Sequence, residues 1–326
     1  MSAALRLQDV RKRFGATTAV HGMTLEVPRG GLYGVIGPSG AGKTTCIRMI
    51  MSILFPDSGE LSVLGQRSAL EAKDRIGYLP EERGVYRKMR VGAFLSYLAQ
   101  LKGVPRDLAK TRIATLLAAV GLPGTEGRRC EDMSKGMLQR VQFVGAIVHE
   151  PELLILDEPF SGLDPVSVRL LRDMIVAEHR RGATILFSTH VMAHAEEICQ
   201  HVVMIHEGRK VLDQPMSGLT RQYDVRTIQF EPLALDADVS AIRQMAGVEQ
   251  VEQAADGYRI RLREGADAAP LMAAIAAAVP PARLALARLR LEDVFIRIVT
   301  AEPDGGRHAQ ALRAGLQAHA GEGAAV

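Results

Sequence analysis

The sequence predicts an α/β fold, a parallel-sheet core flanked by helices, followed by a small α+β domain. Three observations carry this expectation. Short apolar runs that read as buried strands alternate with helical segments as far as about Thr220. A glycine-rich stretch, Gly37 to Thr45 (GPSGAGKTT), stands between one such strand and a helix. A second buried strand, Leu153 to Leu156, ends in two acids, Asp157 and Glu158.

In chain order, Leu5 to Val10 and Met23 to Val27 read as short strands, and Leu32 to Ile36 as a buried one. Thr44 to Ser52 reads as a helix, and Leu61 to Leu64 and Ile76 to Leu79 as strands. Val91 to Lys102 and Leu108 to Val120 carry helical periodicity, separated by the breaker Gly103-Val104-Pro105. Met137 to His149 is a helix leading into the Leu153 strand; Val166 to Arg181 is a helix, and Thr184 to Ser188 and Val202 to Ile205 are strands. After about Thr220 the pattern changes. Residues 226–300 read as strand (Thr227 to Phe230), helix (Val239 to Ala246) and two strands (Val248 to Gln253, Tyr258 to Leu262). A helix (Ala268 to Ala278), a strand (Arg283 to Leu289) and a last helix (Leu291 to Val299) complete a ferredoxin-like order. The tail 301–326, rich in Gly and Ala, is expected to be disordered.

Composition narrows the function classes. At 326 residues, 47% hydrophobic and 24% charged, the chain can build two globular domains. A net charge of +3 is too small to imply nucleic acid, and none is expected as a partner. Cys46, Cys130 and Cys199 are scattered and odd in number, so they suggest neither a disulfide framework nor a metal knuckle. The N-terminus lacks the apolar core of a signal peptide. The longest apolar stretch, Leu271 to Val279, is too short to span a bilayer and ends at Pro280-Pro281. The chain is expected to act on a membrane only through a partner.

Gly37 to Thr45 fits the phosphate-loop pattern G-x-x-x-x-G-K-[ST], and its strand–loop–helix setting is the one the chemistry needs. The loop of Gly37, Pro38, Ser39, Gly40, Ala41 and Gly42 can curl round phosphate oxygens at a helix N-terminus, its glycines letting backbone N–H groups other than that of Pro38, which has none, point at them. Lys43 can reach the β- and γ-phosphates, the Thr44 hydroxyl can ligate Mg²⁺, and Thr45 continues the anion-facing turn. Asp157 sits at the carboxyl end of its strand, where open α/β sheets bind ligands, and is placed to hold Mg²⁺. Glu158 is placed to orient or deprotonate the water that attacks the γ-phosphate. The pair expects a hydrolysable nucleotide and Mg²⁺ as cofactors.

With these motifs in order, the chain resembles the nucleotide-binding subunits of ABC transporters from Leu5 to about Thr220. The resemblance implies a P-loop NTPase cassette over 1–220, with ATP as its nucleotide. Its parallel core would carry an antiparallel β subdomain and a helical subdomain at about 85–133. Met133-Ser134-Lys135-Gly136-Met137 stands where the family has Leu-Ser-Gly-Gly-Gln; Ser134 and Gly136 match, Lys135 and Met137 depart. In the family this signature caps the γ-phosphate of ATP bound to the opposite subunit. A helix cap is the other reading of Ser134. Ser161-Gly162-Leu163-Asp164 matches the D-loop, His190 in FSTH the switch histidine, and Phe14 in RKRFG the aromatic on which adenine stacks. In IGYLPEERGVY, Glu81 occupies the place of a Gln that touches Mg²⁺ and the attacking water; a carboxylate is also a competent ligand.

One loop and one signature per chain imply a dimer with a second, identical or paralogous, ATP-binding subunit. GYLPEERGVY, MSKGM and the terminal LEDVFIRIV look like exporter-type subunits encoded apart from a type 2 permease, including those for sodium extrusion or drug export. Within ERGVYRKMR, Arg83, Arg87, Lys88 and Arg90 lie where the family cassette docks on its permease. The resemblance thus implies an ATPase at the cytoplasmic side of the cell membrane, peripheral, driving an integral membrane permease. An importer subunit and a soluble ABC ATPase remain open. The latter usually carries two cassettes or a long coiled-coil insertion, and this sequence has neither.

Overall fold

The computed structural model describes residues 3–82, 84–222, 227–234, 236–254, 257–287 and 290–300. The expected tail, 301–326, lies outside them. Internal contacts divide the chain into two units: residues up to Met216 together with the segment from Phe295, and Ser217–Val294.

The first unit opens with β1 (Ala3–Phe14), β2 (Thr17–Pro28), β3 (Leu32–Ile36), α1 (Lys43–Ile50), β4 (Ser58–Val63) and β5 (Ile76–Leu79). α2 (Val91–Leu101), α3 (Arg106–Ala119) and α4 (Lys135–Ile147) follow. β6 (Leu153–Asp157), α5 (Pro165–Arg181), β7 (Thr184–Thr189), α6 (Met192–Ile198), β8 (His201–His206) and β9 (Arg209–Pro215) complete it. A six-stranded sheet runs in the order β5-β6-β7-β3-β8-β9, parallel but for the β8–β9 pair. Every residue of β3, β6 and β7 is buried, which explains why these strands read as unbroken apolar runs rather than alternating ones. A separate antiparallel sheet has the order β2-β1-β4. The parallel core, antiparallel sheet and helical insertion match the expected fold class.

β1 and β2 extend well beyond their apolar cores because they pair with each other along their length, which stabilises polar flanks such as Arg11 and Lys12 in strand form. β9 was not expected. It is a polar edge strand ending at Pro215, and edge strands lack the apolar signal.

The second unit contains β10 (Thr227–Pro232), α8 (Ser240–Arg243), β11 (Val248–Ala254), β12 (Gly257–Leu262), α9 (Ala268–Ala278) and β13 (Pro281–Leu286). α7 (Met216–Gln222) leads into it, and α10 (Leu291–Thr300) leads out. The antiparallel order is β11-β12-β10-β13. Ile228, Phe230, Ile260 and Leu262 pack on Ile242 and Ile275 of the two helices. The helix expected over Val239–Ala246 shrinks to Ser240–Arg243. Gln244 and Met245 make tight bonds to Ala241 and Ile242 (3.3 and 3.2 Å), closing the chain into a turn before Gly247.

Candidate nucleotide site

Two glycines of the loop between β3 and α1, Gly37 and Gly42, leave no room for a side chain. A Cβ on Gly37 would lie 2.1 Å from the Ile205 carbonyl oxygen. Gly42, the N-cap of α1, has φ +102°, and a Cβ there would lie 2.6 Å from the Ala19 carbonyl oxygen. The Gly208 amide bonds to the Ala41 carbonyl at 2.9 Å and ties the loop to the turn after β8. The first amides of α1 have no acceptor within the helix and form a ready anion site.

Lys43 is buried. Its Nζ donates to the carbonyls of Gly37 (2.8 Å) and Pro38 (3.1 Å), so the ammonium sits over the loop it serves. Burial pulls its pKa below the ordinary lysine value, against the opposing pull of Glu158, Asp157 and Glu81. Glu158 Oε1 is 3.7 Å away.

β6 delivers both acids. Asp157 is its last residue, and Glu158 follows with φ 49°, a left-handed turn that swings its side chain toward the loop. Glu158 Oε1 accepts from His190 Nδ1 at 2.9 Å, and this bond raises the histidine's pKa above its ordinary value against burial. Asp157 Oδ1 receives the Thr44 hydroxyl at 3.3 Å and the hydroxyl of Ser188. Among the described residues, Asp157 Oδ2 is buried without a hydrogen-bond partner. Burial raises the pKa of Asp157; the Ser188 and Thr44 bonds oppose the rise, while Glu81 and Glu158 add to it. Glu81 Oε2 lies 3.4 Å from Thr44 Oγ1. A buried carboxylate oxygen lacking a donor, a hydroxyl and a second carboxylate are hard oxygen ligands that fit Mg²⁺, which takes one or two carboxylates plus phosphate oxygens.

Lys43, Thr44, Glu81, Asp157, Glu158 and His190 therefore converge from four segments of the chain. The remaining candidates stand elsewhere. Ser134 caps α4, its hydroxyl accepting the Met137 amide at 3.2 Å, so the helix-cap reading of that residue holds. A Cβ on Gly136 would meet Leu163 at 3.3 Å, leaving little room for a side chain there. Asp164 caps α5 through the Ser167 amide (2.9 Å) and hydroxyl. Among the described residues, no hydrogen bond or ion pair joins Ser134, Gly136 or Asp164 to the phosphate loop. Phe14 ends β1 half-exposed, with the Lys12 ammonium 5.6 Å from its ring centre, so it is not a core residue. In the basic segment, Arg87, Lys88 and Arg90 are exposed, and Arg83 lies outside the described residues.

One contributor escaped the sequence: Ser188 bonds Asp157 from the neighbouring strand. Gln139 of α4, buried, donates to the Pro159 carbonyl at 3.3 Å, bracing the turn after Glu158. Ser188 lies in FSTH, but its role depends on the register that sets it opposite Asp157.

Comparison with known proteins agrees with this geometry. Residues 20–161 match the family model described as ABC transporter. The uncharacterized ABC transporter ATP-binding protein YhaQ of Bacillus subtilis (strain 168) is 36% identical over 91% of this chain and 99% of its own length. The Nod factor export ATP-binding protein I of Cupriavidus pinatubonensis is 30% identical over 93% of this chain and 92% of its own. A solved structure of an ATP-binding subunit of an ABC transporter superposes with a TM-score of 0.63 at 31% identity, covering 68% of this chain and 94% of that one. The chain therefore belongs to the ATP-binding proteins of ABC transporters, which bind and hydrolyse ATP.

Proposed function

We propose that the chain works as the ATPase of an exporter, as a dimer bound peripherally to the cytoplasmic face of the cell membrane, driving a separate integral membrane permease. The observation that carries the ATPase part is the convergence of Lys43, Thr44, Asp157, Glu158 and His190 at the carboxyl ends of β3, β6 and β7. Kinship along nearly the whole chain with a Nod factor export protein supports the export direction. No helix among the described residues is long and apolar enough to cross a membrane, so transport calls for a partner that does.

In this reading the loop amides and Lys43 grip the β- and γ-phosphates, and Phe14 stacks on adenine. Thr44, Asp157 and Glu81 would hold Mg²⁺, which when bound neutralises developing phosphate charge. Glu158 accepts the proton of the attacking water while His190 fixes its carboxylate and contacts the γ-phosphate. Ser134 and Gly136, which among the described residues make no hydrogen bond to their own loop, serve the ATP of a second subunit, and Asp164 lies along that dimer contact. Arg87, Lys88 and Arg90 face acidic permease loops or lipid headgroups.

The test is Glu158→Gln, which should bind ATP without hydrolysing it. The variant is purified with ATP from detergent-solubilised native membranes, and its companions are identified by mass spectrometry. A multi-helix permease in stoichiometric amount is the expected result. A dimer that brings no membrane protein would overturn the transporter reading.

A further inference from the structure

The second unit carries a basic pocket that the ATP chemistry does not use. Ile228 and Phe230 of β10 enter the core, so Gln229 and Glu231 point to the opposite, open face of the sheet. β12 and β13 flank β10 on its two sides. Arg259 on β12 stands opposite Gln229, and Arg283 on β13 stands opposite Glu231. Neighbouring strands lie about 4.8 Å apart, so two arginine side chains can reach over the strand between them. Arg290 joins from the start of α10, where its carbonyl accepts the amides of Asp293 and Val294 (3.0 and 3.2 Å). Gln229, Glu231, Arg259, Arg283 and Arg290 are among the residues that line a cavity of about 200 Å³.

The charges there are unbalanced. Arg259, Arg283 and Arg290 are exposed, and among the described residues none makes a side-chain hydrogen bond or ion pair. Arg261 lies on the same face, opposite Thr227. Among the described residues, the facing carboxylates are Glu231 and, opposite Arg259 on β11, Glu252. Positive charge thus predominates around a small concave space, where a typical surface intersperses both signs. Guanidinium forks match phosphate oxygens in geometry and charge, and several of them converging prefer a doubly charged anion over a chloride or single carboxylate. At about 200 Å³ the cavity is smaller than the usual ligand site, which suits a compact group rather than a nucleotide.

We propose that this pocket binds a phosphate monoester, held by Arg259, Arg283 and Arg290. The ester can belong to a small soluble metabolite or to a lipid headgroup, and one experiment separates the two. The full chain carrying Lys43→Ala, so that the phosphate loop is disabled, is titrated by calorimetry with glycerol 3-phosphate at low salt. The same chain is floated with phosphatidylcholine vesicles with and without phosphatidic acid.

Binding of glycerol 3-phosphate that weakens at least about tenfold when Arg259→Gln and Arg283→Gln are added supports the proposal. Flotation confined to phosphatidic acid vesicles and lost in the same combined variant supports it with a membrane source; titration without flotation supports it with a soluble source. Circular dichroism, and ATP hydrolysis by the Arg259→Gln/Arg283→Gln chain with Lys43 intact, should match the parent and so exclude misfolding. Absence of both kinds of binding overturns the proposal, as does binding that the two arginine substitutions leave unchanged.

Discussion

Asp157 and Ser188 face each other across β6 and β7, and the serine hydroxyl donates to Asp157 Oδ1 while its oxygen accepts the Glu158 amide at 3.3 Å. One side chain thus sets the position of both acids. Removing it leaves Asp157 Oδ1 with only the Thr44 hydroxyl and raises the cost of keeping the carboxylate ionised. Ser188→Ala should lower kcat for ATP by about 10- to 100-fold, as loss of a group that orients metal ligands does. KM for ATP should change much less, because the loop amides and Lys43 are untouched. Steady-state kinetics decide; a wild-type kcat would remove Ser188 from the site.

The Thr44 hydroxyl lies between two carboxylates, Asp157 at 3.3 Å and Glu81 at 3.4 Å. Glu81 adds a second negative charge beside the Thr44 hydroxyl. Glu81→Gln should keep hydrolysis and raise the Mg²⁺ concentration for half-maximal activity about fivefold, the equivalent of ~1 kcal/mol of screened Coulomb attraction. The measurement is ATPase rate against free Mg²⁺ at fixed ATP. Superimposable curves would show that Glu81 takes no part in holding the ion.

How legible each part of the site is depends on how local its cause is. GPSGAGKTT and LLILDEP declare themselves because the residues that shape each of them are contiguous, and buried parallel strands leave an unbroken apolar signature. Ser188 is silent because its function arises from a register between strands 31 residues apart. Nor does the sequence reveal that Lys43 folds back on the Gly37 and Pro38 carbonyls, since that follows from the loop's curvature. The order β5-β6-β7-β3-β8-β9 likewise has no local signal, and β9 at its edge lacks an apolar stripe. Arg259, Arg283 and Arg290 look like scattered surface charges until strand order brings them round one cavity.

Two glycines of the phosphate loop should respond differently to the same change. Gly42 and Gly40 both have positive φ, +102° and +79°, but an added Cβ at Gly42 strikes the Ala19 carbonyl while at Gly40 it meets open space. Gly40→Ala should cost only about 1–2 kcal/mol of left-handed backbone strain. Gly42→Ala adds a clash with backbone that cannot swing away, so the loop itself must move. Thermal unfolding and binding of a fluorescent ATP analogue should show Gly40→Ala folded and binding, and Gly42→Ala less stable with binding lost. Equal behaviour of the two variants would contradict this account of the loop.

Acid should destabilise the first unit in two separable steps. His149 is a half-buried imidazole whose Nε2 bonds the Ile76 carbonyl at 3.1 Å; burial holds its pKa down to about 4. The unfolded chain takes that proton near pH ~6.5, so between there and about 4 the unfolded state binds more protons and stability falls as pH drops. Glu152 accepts from Arg75 at 2.5 and 2.7 Å and from Arg29 at 2.8 Å, which holds its pKa at about 2. Its contribution is present above the unfolded value of ~4.3 and is lost as pH falls from there toward about 2. The cluster is largely exposed, so solvent screening keeps that contribution small, on the order of 1 kcal/mol. Glu152→Gln should therefore flatten the decline below pH ~4 and leave the decline between ~6.5 and ~4 intact. His149→Gln should do the reverse, since a glutamine amide can still donate to the Ile76 carbonyl but takes up no proton. Urea unfolding of the three proteins across this pH range separates the two groups, and a single decline common to all three would show that neither governs acid sensitivity.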